Sequence, residues 1–264
     1  MHQTGEVVTR SLEFDRLPLV EVALRTSFQA PVPVSFATLN GVRGELALEF
    51  RSLDELSQIE AAPGVNATVA FGAGQVLGAV LSGHNLGLRV SIQHHVVVTR
   101  WIREHHVGAP QYARFDELRQ CHWKVVRTLL RVAKQSNPQF GAVNMSYANF
   151  LQVDPSTNAL EQYFAPAAQV GLTTNARRLH KVEIAWQDDG GVDLRFRLER
   201  VGIQWGNERK DGYNLTTVAG SAVASDTDAE DRLCLVHDRL QGFFKTLISD
   251  RAKIEWGYHE SGDN

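Results

Sequence analysis

Ten histidines supply the most chemically versatile side chains of this chain, and five of them, His94, His95, His105, His106 and His122, fall within thirty residues. Imidazole nitrogens bind zinc and other divalent ions when three or four donors converge. A hairpin carrying the first pair, packed beside the start of a following helix, would bring several of them together. The spacing argues the other way. Neither an HExxH nor a CxxC pattern is present, and adjacent residues of a strand point to opposite faces, so each pair offers one ligand unless it sits in a turn. His94, His95, His105 and His106 are weak candidates for metal ligation, no metal site is assigned and no cofactor is expected. His122 reads as a hydrogen-bonded histidine at the edge of a core.

Nucleophilic chemistry has less to work with. The G-x-S-x-G elbow that presents a serine nucleophile is missing. Cys121 neighbours His122, but consecutive helix residues diverge by about 100° and do not pair. Cys234 and His237 stand three apart and can touch, although cysteines packed in helices mostly behave as small hydrophobes. Gly72, Gly74 and Gly78 form a loose glycine series without the Lys and hydroxyl of a phosphate loop, which reads as backbone freedom in strand turns. Asp188 and Asp189 precede Gly190-Gly191, where turn chemistry is sufficient to explain them. No catalytic residue is assigned.

Charge gives the strongest surface signal. On a helix spanning Phe115 to Lys134, Lys124, Arg127, Arg131 and Lys134 recur at spacings of three and four and form a basic ridge, with Arg119 and Trp123 beside it. Arg195 and Arg197 form a second basic face on a strand. Either surface suits an acidic protein or phosphates. The opposing reading is an ordinary solvated helix face, and one tryptophan does not make a base-stacking platform. The ridge belongs to a wider asymmetry: Arg100 to Lys134 holds 8 Lys/Arg against 3 Asp/Glu, and Asp226 to Asn264 holds 5 against 9. The two regions could serve a partner or complement each other within the fold.

The bulk of the chain is ordinary. A hydrophobic fraction of 43%, a charged fraction of 22% and a net charge of −3 describe a globular protein large enough to build a substantial core, and argue against wholesale nucleic-acid or membrane binding. Two cysteines, no signal peptide and no apolar run long enough for a membrane span suggest a cytoplasmic protein with no membrane partner.

The elements that position these residues alternate between strands and helices. Residues 1–16 read as a loose lead-in. A strand covers Leu17 to Phe28, with a further strand at Gly44 to Phe50. Ser52 and Glu55 form a capping box that predicts a short helix from Leu53 to Ala61. A hairpin spans Leu86 to Trp101 with His94-His95 at its turn. Phe115, Leu118, His122, Val125, Leu129 and Val132 then make the buried stripe of the long basic helix, which Ser136-Asn137-Pro138 ends. A strand covers Ala142 to Val153, and Asn158 to Phe164 reads as one or two helical turns. Strands at Lys181 to Trp186 and Val192 to Val201 form a hairpin, in which Leu194, Phe196 and Leu198 face one way and Arg195, Arg197 and Glu199 the other. Asn207 to Gly212 reads as a turn and Leu215 to Ala224 as a strand. Thr227 and Glu230 cap a second long helix carrying Leu233, Val236, Leu240 and Leu247, followed by a polar tail at residues 258–264. Strand runs joined by tight polar turns predict an α+β fold, an antiparallel sheet or sheets with two long helices packed on it. The domain is residues 17–257, with residues 17–138 and 139–257 as candidate related β–α halves.

Four segments together carry a family resemblance: the strand around Pro18-Leu19-Val20-Glu21-Val22, the hairpin through Val90 to Trp101, Tyr147-Ala148-Asn149 with Gln162-Tyr163-Phe164 after it, and the helix from Leu235 to Phe244 closing at Trp256-Gly257. Their order resembles a sporadically distributed, uncharacterised bacterial protein family with an N-terminal P-L-V-E-V strand, a central Y-x-N strand and a C-terminal L-H-x-x-I/L-x-x-x-F helix. This chain departs from that pattern at Val236, and Leu240 stands where most of the pattern has Ile. The resemblance implies no chemistry; the patchy distribution implies a defence or toxin–antitoxin type of setting. Together these readings lead to the expectation of a non-catalytic binding protein acting through a partner protein, able to self-associate. The alternatives are a nucleic-acid-binding accessory protein using the Lys124–Lys134 ridge and a metal-dependent hydrolase using the clustered histidines.

Overall fold

The structure, a computed structural model, describes residues 12–14, 18–55, 78–84, 87–103, 112, 114–152, 163–165, 181–205, 208–223 and 228–260. The chain runs β1 (Leu12–Phe14), β2 (Leu19–Phe28), α1 (Phe36–Glu45), β3 (Phe50–Glu55), β4 (Gly78–Gly83), β5 (Leu88–Gln93), β6 (Val96–Ile102), α2 (Phe115–Val132), β7 (Phe140–Gln152), β8 (Lys181–Gln187), β9 (Asp193–Trp205), β10 (Glu208–Ala222), α3 (Ala229–Leu247), α4 (Asp250–Glu255) and β11 (Tyr258–Glu260). The fold is α+β. Nine strands form one antiparallel sheet in the order β3-β4-β5-β6-β2-β7-β10-β9-β8. Outward from β2 the strands follow as β6, β5, β4; outward from β7 they follow as β10, β9, β8. Each run places its first strand at the centre and its last strand next to it.

Alternation along the strands creates one apolar face. In β2, Val22, Leu24, Thr26 and Phe28 are buried, while Glu21, Ala23, Arg25 and Ser27 turn to the other side. Directly opposed residues of antiparallel strands share a face. One row can therefore be followed across seven strands: Leu88, Trp101, Val22, Tyr147, Thr217, Phe196 and Ile184.

Both long helices pack on the face this row marks. The buried side of α2 carries Leu118, His122, Val125, Val126 and Leu129, and that of α3 carries Leu233, Val236, Leu240 and Phe244. Helix α1 lies along α2. Ser35 caps it, its Oγ accepting from the Thr38 amide at 3.1 Å. Close approach requires Gly41, where a Cβ would meet Val132 Cγ1 at 2.7 Å. The main core fills the space between sheet and helices, and a second cluster of Leu151, Phe164, Phe196, Leu198, Phe244 and Trp256 closes the end beneath α3 and α4. No described helix is long and apolar enough to cross a membrane.

Several sequence expectations fail locally. The Ser52–Glu55 capping box does not start a helix; Phe50–Glu55 is a strand paired with β4. The strand expected at Gly44 to Phe50 is instead the end of α1 and a turn, because Ser35 caps a helix that two internal glycines disguise. Residues 56–61 of the expected short helix, Gly72 and Gly74, residues 158–162 and Thr227 lie outside the described residues. Glu208 to Gly212 belongs to β10 rather than to a turn. The lead-in and the tail are not simply loose, since Leu12–Phe14 pairs with Tyr258–Glu260. The hairpin turn at Asp188 forms as expected: its Oδ1 accepts from the Gly190 and Val192 amides at 2.9 and 2.8 Å, and Gly191 takes a φ of 72°.

Leu129 is 0% exposed at the centre of the α2 stripe. Placing an unpartnered carboxylate there costs more than about 4 kcal/mol, a large share of a domain's stability. Leu129→Asp is expected to abolish cooperative thermal unfolding in circular dichroism, with Leu129→Met retaining it.

Candidate functional site

The basic ridge forms, but three of its four cations are engaged within the chain. Lys124 pairs with Glu49, Arg127 with Glu230, and Arg131 with Glu45 through both guanidinium nitrogens. The Arg131 hydrogen bond holds the Glu45 carboxyl below its ordinary range. Arg119 reaches Glu230 Oε1 at 3.4 Å, Cys234 Sγ at 3.5 Å and Asp116 Oδ1 at 3.3 Å. The ridge thus ties α2 to α1 on one side and to α3 on the other, and the opposite charge excesses seen in the sequence meet partly at this seam. Lys134 sits just beyond the helix in a left-handed conformation at φ 56°. Trp123, expected beside the ridge, is buried instead. It packs edge-on against Phe140 and His122 because it borders Val126 on the helix wheel. On the sheet, Arg195 pairs with Glu183 at 3.7 Å and Arg197 with Glu199.

The histidines separate. His94 and His95 form the β5–β6 turn, with His94 Nδ1 3.1 Å from the Val32 carbonyl. His105 and His106 lie outside the described residues. Among the described residues, no group of three or more His, Cys, Asp or Glu side chains is placed to hold a metal ion. His122 is fully buried and bridges two strands: Nε2 lies 2.8 Å from Thr26 Oγ1 on β2, and Nδ1 lies 2.8 Å from Thr99 Oγ1 on β6. Burial pushes its pKa down to about 3, so it is a neutral strut between helix and sheet. Cys121 is pushed up to about 11, chiefly by burial, and burial also raises Cys234. Both are free thiols, and raised pKa values are the opposite of what an activated thiolate nucleophile needs.

A further group of buried polar side chains went unread as chemistry in the sequence. Tyr147 on β7 points under the helices, with Gln241 of α3 as a hydrogen-bonding neighbour of its hydroxyl and Tyr112 close by. Burial holds both tyrosines well above their ordinary pKa, so both hydroxyls stay neutral. Thr217 is the cross-strand neighbour of Tyr147 and Asn149 lies two residues along the same strand face. The Tyr112 ring meets Trp101 edge-on at 5.2 Å. One turn before Gln241, His237 stacks on Phe115 of α2 at 3.7 Å and 6°, with Nδ1 3.2 Å from Asp238 Oδ1. Segments quoted for the family resemblance lie together here: Leu19 pairs with Asn149, Val22 with Tyr147, and the His237 helix packs above them. Their arrangement orients α2 and α3 on the sheet.

Sequence reading also missed a surface. Among the described residues, β8 is one edge of the sheet. Its Val182, Ile184 and Trp186 oppose Leu198, Phe196 and Leu194, which are buried, so they belong to the helix-covered face. Nevertheless Ile184 is 44% and Trp186 38% exposed. Trp186 is steadied by Phe243 of α3, ring centroids 4.4 Å apart at 79°. Alternation in KVEIAWQ signals the apolar side, but nothing local reveals that the strand stands at an edge. No protein-family model matches the chain, and no curated protein matches it.

Burial lowers the pKa of His122 from the ordinary 6.5 of an unfolded chain to about 3 in the fold. Below the upper value the unfolded chain takes up a proton that the native state refuses. The contribution of this group is complete above that value and is lost as pH falls toward the lower one, by at most about 1.4 kcal/mol per pH unit. Urea unfolding from about pH 7 to about pH 4 should show a shallower pH dependence in His122→Gln than in the parent. Deleting the Tyr147 hydroxyl takes a partner from Gln241 beneath α3, so Tyr147→Phe should lose about 1 kcal/mol in the same assay at neutral pH.

Proposed function

We propose that this protein is a non-catalytic binding protein that engages a partner protein by strand addition at the β8 edge. The observation that carries the reading is the exposure of Ile184 and Trp186 on the core side of an edge strand. An edge strand offers a row of backbone donors and acceptors to an incoming strand, and alternate side chains supply selectivity. Solvent-facing β8 thus combines hydrogen-bonding capacity with an apolar strip, the two ingredients of β-augmentation.

The ridge supports the nucleic-acid alternative less well. Three of its four cations, and Arg119 beside them, are paired with carboxylates of α1, the turn after it, α2 or α3, which leaves little uncompensated charge for a phosphate backbone. The family resemblance suggests where to seek the partner, among the products of genes beside this one.

Affinity capture from the native host with the wild-type chain and with Ile184→Lys tests the reading. Wild type is expected to retain a specific protein that Ile184→Lys loses, with both chains folded by circular dichroism and neither retaining nucleic acid at low salt. Identical captures by the two chains would overturn the reading.

A further inference from the structure

We infer that the partner at the β8 edge is a second copy of this chain, joined about a two-fold axis at Ile184; this rests on the reading of β8 as the binding edge. The residues of β8 are Lys181, Val182, Glu183, Ile184, Ala185, Trp186 and Gln187. An antiparallel β8–β8 pair centred on Ile184 sets Ile184 against Ile184 of the second copy and Val182 against Trp186. It also sets Lys181 against Gln187 and Glu183 against Ala185. Every apolar side chain of the core face then meets an apolar one, and no two like charges are directly opposed.

Neighbouring registers are worse. Centring on Glu183 opposes two carboxylates. Centring between two residues sets the core side of one copy against the polar side of the other, because side chains alternate with period two. The Ile184 register alone uses the strand's full length. It keeps the helices of both copies on the same side of one continuous sheet, and a two-fold arrangement of identical patches closes without leaving a repeating edge.

The charges of this strand are quiet toward a second copy. Glu183 is paired within the chain, with Lys181 at 3.1 Å and Arg195 at 3.7 Å. Those ion pairs lie on the polar side, away from Ile184 and Trp186. On the core side, Trp186 is braced by Phe243, so Val182 of the second copy would pack against a ring already fixed in place.

Because the axis passes through residue 184, that position faces itself, which gives a test specific to the register. Sedimentation velocity of the full chain should show a dimer. Ile184→Lys and Ile184→Glu should each be monomeric, with circular dichroism and melting unchanged. A one-to-one mixture of the two variants should recover the dimer, because the introduced ammonium of one then faces the introduced carboxylate of the other. A wild-type monomer at every concentration, a dimer that survives both substitutions, or a mixture that stays monomeric would each overturn the inference. If the wild type is monomeric and Ile184→Lys still loses a captured host protein, the second copy fails as occupant and strand addition by another protein stands. If the wild type is monomeric and capture does not depend on Ile184, both readings fail.

Discussion

The antiparallel pairing of β2 with β7 is the constraint on which the rest depends. Leu19 to Phe28 lies against Phe140 to Asn149, strands from opposite sides of the long helix α2. Everything on the β6 side of this pair comes from the chain before α2, and everything on the β10 side from the chain after it. Breaking the pair would divide the sheet in two and expose Val22, Leu24, Val143 and Met145 along its centre. The helices reinforce the join. α2 is pinned to β2 and β6 through His122, Thr26 and Thr99, α3 meets β7 through Gln241 and Tyr147, and Arg119, Arg127 and Glu230 tie helix to helix.

Much of this architecture was legible because period alone determines it. Eighteen residues of α2 carry an uninterrupted three–four stripe, and the β8–β9 hairpin announces itself through Asp188 to Gly191 and the alternation on either side. These signals are local, and local signals survive without knowledge of the rest. The failures occur where a pattern is short and its meaning depends on a distant partner. Ser52 to Glu55 has the composition of a helix cap, but pairing with β4 decides its state. Leu12–Phe14 and Tyr258–Glu260 look unanchored until the two segments are seen to pair.

The candidate site was legible only in residue type. The cations of the ridge are visible in the helical spacing, but their partners Glu45, Glu49 and Glu230 come from other elements, so the sequence could not distinguish a binding surface from an internal clamp. Tyr147 and Asn149 were visible as a motif, yet Tyr112 and Gln241 joined them only through folding. His122 is the case in which the plainer reading proved sufficient. A lone histidine on an apolar helix face found two hydroxyls, and its desolvation leaves it neutral.

The exposure of β8 follows from the width of the sheet. Nine strands at about 4.8 Å spacing span roughly 38 Å, whereas three helices side by side at about 10 Å cover roughly 30 Å. Coverage has to fail somewhere, and the described helices show where. α1 lies outside α2, and its Leu39 and Val42, with Leu46 just beyond it, share a core with Leu81, Val90 and Ile92 of β4 and β5, which are buried. Among the described residues no helix lies outside α3 in the corresponding place. β8 carries the same alternation as β4, but its Ile184 and Trp186 stay in solvent. An apolar strip left over by so simple a mismatch could be an accident of the fold. The argument against accident is its composition. Edge strands that need only solubility carry charge on both faces, while β8 confines its charges to the polar side, neutralises Glu183 there, and keeps the overhanging side apolar and braced by Phe243.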